Sequence, residues 1–468
     1  EGPVGRGRRG FEDGRLAKLA SELARQKHCF VVSCQVFGDW AANFKKIERG
    51  TAGKMEEAQK FEAVCWLMYR YKHLRVAYID ESSAGCFSVL VKHADCSNGP
   101  RYEEVYRVRL PGNPIKTGIG EGKPENQNHA VIFTRGPLLQ TIDMNQDGYF
   151  EEALKMRNLL EEFYPNGSAA DGTGCCGCVS KRWQDKPVSI VGFSEHQFSR
   201  KLGAAGEFAA LEELSFATMA QRAMNCPFEV RYHYGHPDVH HRVRAATRGG
   251  IAKANKTVCV SEDVYGGWNA MQRGGRILFR EYIHVGKGKD LHLDQVAAFQ
   301  AKIASGSAEC ALSRDYTRAT ETQSLPRLLA FFHTGNGFFW SNAIIVWTTQ
   351  WTIYSYLVMS ILLDDDEETS SRLRYDTSQT VGWLLIGFML SLPLLLELVL
   401  LRGPFYAVFN MFKLVCTGAP VFYLFQICWK SFIYLEALTL PAAQYRATGR
   451  GVTLKRLSFM EIWKKYAY

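Results

Sequence analysis

Apolar residues follow short strand-like and helix-like rhythms up to about Pro326, and beyond it they gather into long runs with few charges. Residues 28–37 and 74–79 are short, β-branched apolar runs, and between them Phe61, Val64, Cys65 and Met68 recur at helical spacing within 54–71. Runs without polar alternation belong to strands covered on both faces, so this segment predicts a β-α-β unit in a parallel sheet. Further strands are predicted at 86–93, 102–110, 130–133, 189–193 and 229–232, and a helix near 211–225. Residues 140–143 predict another strand that ends on the carboxylate of Asp143, and open α/β sheets bind ligands where strands end. Asp147 is placed to cap a helix over 149–164, in which Phe150, Leu154, Leu160 and Phe163 share a face, with Pro165 as its stop.

The later runs change the class of protein. Residues 338–363 and 381–401 predict transmembrane helices, since at about 1.5 Å per residue each covers a hydrocarbon core of roughly 30 Å. The acidic run 364–368 belongs outside and the basic flank at Arg402 inside, which places the soluble part in the cytosol. Residues 405–440 are interrupted by Lys413, Pro420, Lys430 and Glu436, and predict helices lying in the membrane interface. The expected organisation is a partial or poorly ordered segment over 1–26, a cytosolic α/β domain over 27–330 with an inserted loop at 166–182, the membrane and interfacial helices, and a basic tail over 441–468. The net charge of +9 is spread along 468 residues with no basic block, which excludes a nucleic-acid arm and fits an anionic membrane face. Thirteen scattered cysteines, several in apolar contexts (Cys29, Cys34, Cys65, Cys259), predict reduced thiols. The cluster Cys175-Cys176-Gly177-Cys178 has no second ligand pair at zinc-site spacing.

Four constellations carry candidate chemistry. Gly118-Ile-Gly120-Glu-Gly122-Lys123-Pro124-Glu-Asn126 is a glycine-rich loop ending on a lysine, suited to diphosphate oxygens. It is not a P-loop, having Thr117 and Pro124 at the required Gly and Ser/Thr positions. Asp143-Met-Asn145-Gln146-Asp147-Gly148 matches the first half of a calcium loop, but Leu154 stands where a bidentate Glu is needed, so Asp143 is better suited to a sugar hydroxyl, a ribose or a phosphate-bound cation. Thr247-Arg248-Gly249-Gly250 precedes Ser261-Glu262-Asp263, which puts two acids at an expected sheet edge, either to take the proton of an acceptor hydroxyl or to begin a solvated helix. Val285-Gly286-Lys287-Gly288 is a second glycine-flanked lysine after a strand, also readable as a hairpin turn. His233, His236, His240 and His241 near Asp238 lack metal spacing and read as hydrogen-bonding histidines.

Together with Gln140-Thr-Ile-Asp143, Tyr234-Gly-His-Pro-Asp238, Leu312-Ser-Arg-Asp315 and Tyr445-Arg-Ala-Thr-Gly-Arg-Gly451, these words stand in the order found in 1,3-β-glucan (callose) synthases, and from about Lys27 onward the chain resembles that glycosyltransferase family. The resemblance implies a GT-A-like cytosolic domain of a multi-pass plasma-membrane enzyme. Its reaction is the processive, inverting transfer of glucose from UDP-glucose to a growing 1,3-β-glucan. Ser261-Glu262-Asp263 resembles the Thr-Glu-Asp of cellulose synthase, which implies Asp263 as base with Glu262 adjacent. Lys123 and Lys287 would then stabilise UDP, Asp143 would meet donor or cation, and Asn126, Gln146 and Arg248 would line the substrate. Implied partners are UDP-glucose, the glucan chain, membrane lipid and a regulatory small GTPase, with no nucleic acid. Mg²⁺ or Mn²⁺ is the one cofactor in question, since two lysines can neutralise a diphosphate. A non-catalytic scaffold or polymer-conducting subunit is the alternative of a different class. Residues 166–177 and 201–207, and Val264-Tyr-Gly-Gly-Trp268, depart from the family's words. Of the two sequons, Asn166 and Asn255, both should be bare in a cytosolic domain.

Overall fold

A computed structural model of the chain describes residues 3–95, 101–116, 122–143, 146–148, 150–164, 186–201, 203–230, 238–253, 255, 258, 261–288, 293–362, 388–389, 391–440 and 460. Among them, nine strands make two sheets: β1 (Phe30–Ser33), β2 (Leu74–Ser82), β3 (Gly85–His93) and β4 (Tyr102–Leu110) in that order, and β5 (Leu138–Gln140), β8 (Val239–His241), β7 (Val188–Gln197), β9 (Arg276–Lys287) and β6 (Gln146–Gly148) in that order.

The first sheet holds the predicted β-α-β unit. β1 and β2 are parallel, with Phe30 opposite Leu74, and β2, β3 and β4 continue antiparallel. The helix Met55–Arg70 lies where its apolar spacing put it, preceded by a second helix, Phe37–Glu48. Phe37, Phe61, Cys65 and Met68 pack with Val76, Tyr78, Val89 and Val91 on one face of this sheet. On the other face Ala77 and Leu90 meet Ala130. One expectation fails: β1 is an edge strand with alternating exposure, not one buried on both sides, because no strand lies beyond it among the described residues.

The second sheet is mixed, β7 and β9 being its parallel pair. Leu159 and Phe163 pack with Val191, Phe193 and Leu278 in one core, while Ile190 and Ile277 join Val264, Tyr265, Trp268 and Phe331 in another. The chain is therefore α/β, as expected, with helices against both sheets.

Several local expectations are corrected. Residues 130–133 are helical: Pro124 starts the helix Lys123–Ala130 in its first turn, and a 3₁₀ turn, Val131–Phe133, extends it. Asp147 does not lie at a helix start; it sits in β6 opposite Gly286, and the helix after it is two pieces, Phe150–Leu154 and Met156–Phe163. Glu229 and Val230 are not in a strand; Glu229 has φ +56° and its carboxylate pairs with Arg327. The helix expected near 211–225 begins earlier, at Ala204, and runs through a π-helical stretch, Ser215–Ala220, to Asn225. In the segment 1–26, expected to be partial or poorly ordered, the described residues from Pro3 belong to the helix Pro3–Lys27.

Beyond Pro326 most of the described residues are helical, with breaks at Gly335, Gly403 and Gly418. Asn336–Leu362 has 27 residues, yet Thr348, Thr349, Gln350 and Thr352 dilute its hydropathy. Among the described residues one helix is long and apolar enough to cross a membrane by length and composition: Ala419–Thr439, with a mean hydropathy of 1.2. It belongs to the stretch expected to lie in the interface, which is broken at Gly418 into Pro404–Cys416 and Ala419–Thr439. The span expected at 381–401 is described only in part, with residues 391–402 helical. These helices pack apolar cores around Tyr434 and Leu398, yet they also bury polar groups and expose large apolar ones. Gln426, Lys430 and Ser431 are buried, Lys430 pairing with Glu212 at 3.2 Å, while Val421, Leu424, Phe405, Phe409 and Phe412 are exposed. Glu397 is 6% exposed, and Arg222 joins it at 2.7 Å while also holding Glu281 of β9.

Candidate active site

Of the glycine-rich loop, residues 118–121 lie outside the described residues, and Gly122 leads into Lys123. Gly122 has φ +95°, and a Cβ there would lie 3.0 Å from Gln35 Nε2 and 3.1 Å from Ile115 Cγ2, so only glycine fits. The turn sets Lys123 at the start of the helix Lys123–Ala130, where the helix dipole disfavours a cation. Three side chains fix that helix. Ser33 of β1 donates to Asn126 O at 2.5 Å and sits 2.9 Å from Asn126 Oδ1. His129 Nδ1 meets Ser88 Oγ at 2.8 Å, and burial pushes the imidazole down to about 4, so it is neutral at physiological pH. Asn128 donates to Ala252 O at 2.7 Å and accepts from Ile251 N at 3.0 Å.

That last clamp joins the lysine helix to the segment leading into the acids. Gly250 has φ +82°, and a Cβ on it would lie 2.3 Å from Asn128 Oδ1. Lys253 N donates to Glu262 O at 2.9 Å. Ser261-Glu262-Asp263 is a helix start, Glu262–Gln272, but it is buried rather than solvated: Glu262 is 1% exposed. Acidic residues in a first turn favour the helix electrostatically. A Cβ on Gly266 would lie 2.6 Å from Ile251 O, so this glycine lets helix and segment touch. Trp268, behind it, stacks on Phe331 at 4.6 Å.

Lys123 and Glu262 form an ion pair. Burial opposes the Lys123 charge, but Glu262, Asp263 and Asp143 together outweigh it and hold the ammonium well above its ordinary range. Burial raises both carboxyls, with Lys123 acting against it in each case. Asp263 Oδ1 accepts from Val264 N at 2.8 Å and the side chain is half-buried, whereas Glu262 Oε2 is buried with no hydrogen-bond partner among the described residues. Lys123, Asp143, Glu262 and Asp263 are thus one electrostatic cluster, drawn from three separate sequence words.

Asp143 leads to a second cluster. Its backbone N donates to Gln146 Oε1 at 2.9 Å, and Gln146 Nε2 donates to Glu195 Oε1 at 3.1 Å. Glu195 Oε2 in turn accepts from Lys287 Nζ at 2.8 Å. This places Lys287, at the end of β9, against Glu195 on the parallel neighbour β7. Burial pushes Glu195 up to about 7, with Lys287 working against the rise and nearby Glu213 adding to it. No sequence word announced Glu195; its signal was an acid near the end of an otherwise apolar strand.

The other expected residues fall differently. Asn126 pairs with Ser33, and Gln146 bridges Asp143 and Glu195, so both brace the clusters. Arg248 is exposed and its Nη1 donates to Arg273 O at 2.7 Å. His241 Nε2 meets Tyr164 OH at 2.9 Å and His240 is buried in β8; His233 and His236 lie outside the described residues, as do Asn145, Cys175, Cys176 and Cys178. No three His, Cys, Asp or Glu side chains converge as a cation site among the described residues. Asn255 Nδ2, the atom a glycan would take, donates to Asp315 Oδ2 at 2.8 Å.

Residues 9–468 match the family described as "1,3-beta-glucan synthase component". The chain is 39% identical over 462 residues to "Putative callose synthase 6" of Arabidopsis thaliana, covering 96% of this chain and 22% of that protein. It is 39% identical to "Callose synthase 7" and 37% identical to "Callose synthase 12" of the same organism, covering 97% and 95% of this chain and 23% and 24% of theirs. The chain thus spans less than a quarter of the length of these relatives. With the match running through nearly every residue, the chain belongs to the family of 1,3-β-glucan synthase components.

Proposed function

We propose that the chain carries the donor and acceptor chemistry of a 1,3-β-glucan synthase, with UDP-glucose as donor and a growing glucan as acceptor. The observation that carries this reading is the Lys123–Glu262–Asp263–Asp143 cluster: two ammonium groups, counting Lys287, and a half-buried carboxylate at the head of a helix. An inverting transfer asks for a base at the acceptor hydroxyl and positive charge on the departing diphosphate. Asp263 takes the proton of the 3-hydroxyl as its oxygen attacks the anomeric carbon. A carboxyl raised by burial is a stronger base than one in water, which suits that task. The C1–O bond to UDP breaks, and the diphosphate leaves against Lys123 and Lys287. Glu262 holds Lys123, and Glu195 holds Lys287. Mg²⁺ and Mn²⁺ fit the described residues poorly, since no three-donor group forms and Lys123 sits amid the carboxylates, so no step is routed through a cation.

The proposal includes a GT-A-like layout and a plasma-membrane setting with the α/β part on the cytoplasmic side. The exposed phenylalanines and leucines of the later helices, beside the buried Gln426 and Lys430, support contact with lipid. In full-length protein in native membranes, Asp263→Asn should abolish the conversion of labelled UDP-glucose into glucanase-sensitive polymer while leaving expression and UDP binding intact. Full activity in that variant would remove Asp263 from the mechanism.

A further inference from the structure

Behind the acid helix lies a cleft of about 490 Å³ lined by Asn128, Lys253, Asn269, Arg273, Asp315 and Arg318, with Gly249, Ala252 and Gln272 completing it. Its lining includes none of Lys123, Asp143, Glu195, Glu262, Asp263 or Lys287, so it is distinct from the cluster described above. We propose that this cleft binds a small phosphate-bearing ligand, and that its occupancy tunes the transfer site.

Charge and shape point to that class. Lys253 is spoken for by Asp315, its Nζ lying 2.5 Å from Asp315 Oδ1. Arg273 and Arg318 have no acidic partner among the described residues, so the lining keeps two surplus guanidinium charges. Paired guanidiniums suit the bidentate geometry of phosphate oxygens. Three amides supply further donors and acceptors at the wall. Among the described residues no aromatic side chain lines the cleft, so they offer no ring face on which a neutral glucan would stack. The volume is within the range that holds a small organic molecule, larger than a bare oxyanion requires. A sugar phosphate and inorganic phosphate share the chemistry that the arginines would recognise, and the experiment separates them.

The coupling follows from the walls. Asn128 is on the helix that begins with Lys123, and it clamps Ile251 and Ala252. Lys253 donates its backbone N–H to Glu262 O. Asn269 and Gln272 belong to the helix that begins with Glu262 and Asp263. A ligand drawn against these residues presses on the supports of the lysine and the acids at once. Gly249, with φ +106°, leaves room: a Cβ there would lie 2.5 Å from Asn269 Nδ2 and 3.0 Å from Arg273 Nη1.

The test uses the purified full-length protein in detergent, with glucose 6-phosphate and inorganic phosphate as separate probes in calorimetric titrations. Binding of glucose 6-phosphate should weaken about tenfold in each of Arg273→Gln and Arg318→Gln, the scale of one lost charge-assisted contact. It should persist in Lys123→Ala, persist with saturating UDP present, and change the rate of polymer formation at fixed UDP-glucose. Arg273→Lys and Arg318→Lys, which keep the charge, should retain part of the affinity and guard against misfolding. Equal affinity for inorganic phosphate would narrow the ligand to the free ion and keep the site. No binding of either probe, binding unaffected by both Gln variants, or competition by UDP would overturn the proposal. Because UDP binding is read separately, its failure leaves the transferase reading intact.

Discussion

Lys123 makes two separable contributions, and a pair of variants divides them. Its partner Glu262 has a side chain 2% exposed, with one oxygen already lacking a hydrogen-bond partner among the described residues. Lys123→Met removes the cation and leaves that carboxylate buried and uncompensated. Breaking a buried pair from one side costs about 3–5 kcal/mol, and the 25% exposure of the Lys123 side chain favours the lower end, about 3 kcal/mol. In a domain of this size that corresponds to a fall of about 6–12 °C in Tm, at roughly 2–4 °C per kcal/mol. Lys123→Met with Glu262→Gln exchanges the ion pair for neutral groups of similar shape, and should recover most of the lost Tm. Polymer synthesis should not recover. A lysine that stabilises the departing diphosphate is worth about 10²–10³ in rate, as with other donors aimed at developing charge. The assay is thermal unfolding of the full-length protein in detergent beside incorporation of labelled glucose from UDP-glucose in membranes. The reasoning is refuted if the single variant keeps its Tm, because Glu262 then needs no cation. It is refuted equally if the double variant makes polymer at the wild-type rate.

Two further outcomes follow from the same geometry. Glu195, held near pH 7, takes up a proton as the pH falls through that value and loosens its grip on Lys287, so turnover should fall on the acid side with an ionisation near 7. Its raised pKa also means that its part in stability is present below the ordinary value of 4.5 and is lost between 4.5 and about 7. Glu195→Gln should flatten both dependences, and an unchanged pH–rate profile would exclude Glu195 as the group that positions Lys287. Gly250→Ala puts a side chain in a left-handed conformation and into Asn128, and should cost about 2–3 kcal/mol from backbone strain and a displaced clamp. A denaturation midpoint equal to that of wild type would show that the clamp is not needed.

The candidate site was largely legible because its residues lie in words that are locally odd: glycines around lysines, and adjacent acids ahead of a helical run. Such words report backbone demands, and Gly122, Gly249 and Gly250 do have positive φ. Residues that act across the fold were not legible. Glu195 meets Lys287 over 92 positions and Asn128 meets Ala252 over 124, and no local pattern encodes such a pairing. The misread strand at 130–133 has the same cause, since three apolar residues look alike whether a sheet or the end of a helix buries them. Asp147 misled because a turn residue before an amphipathic run suggests a cap, while its real constraint, pairing with Gly286, lies far along the chain. The apolar helices were found by length, but the one that best meets the demands of a bilayer contains Lys430 and Glu436, the interruptions that argued against it. Lys430 is turned inward to Glu212.

The guanidinium of Arg222 grips Glu397 in the helical stretch 391–402 with one edge and Glu281 of β9 with another, six residues before Lys287. A planar group bound at two edges resists shear as well as separation. Tilting that helix would therefore pull on the strand that ends at Lys287, the lysine proposed to meet the departing UDP diphosphate.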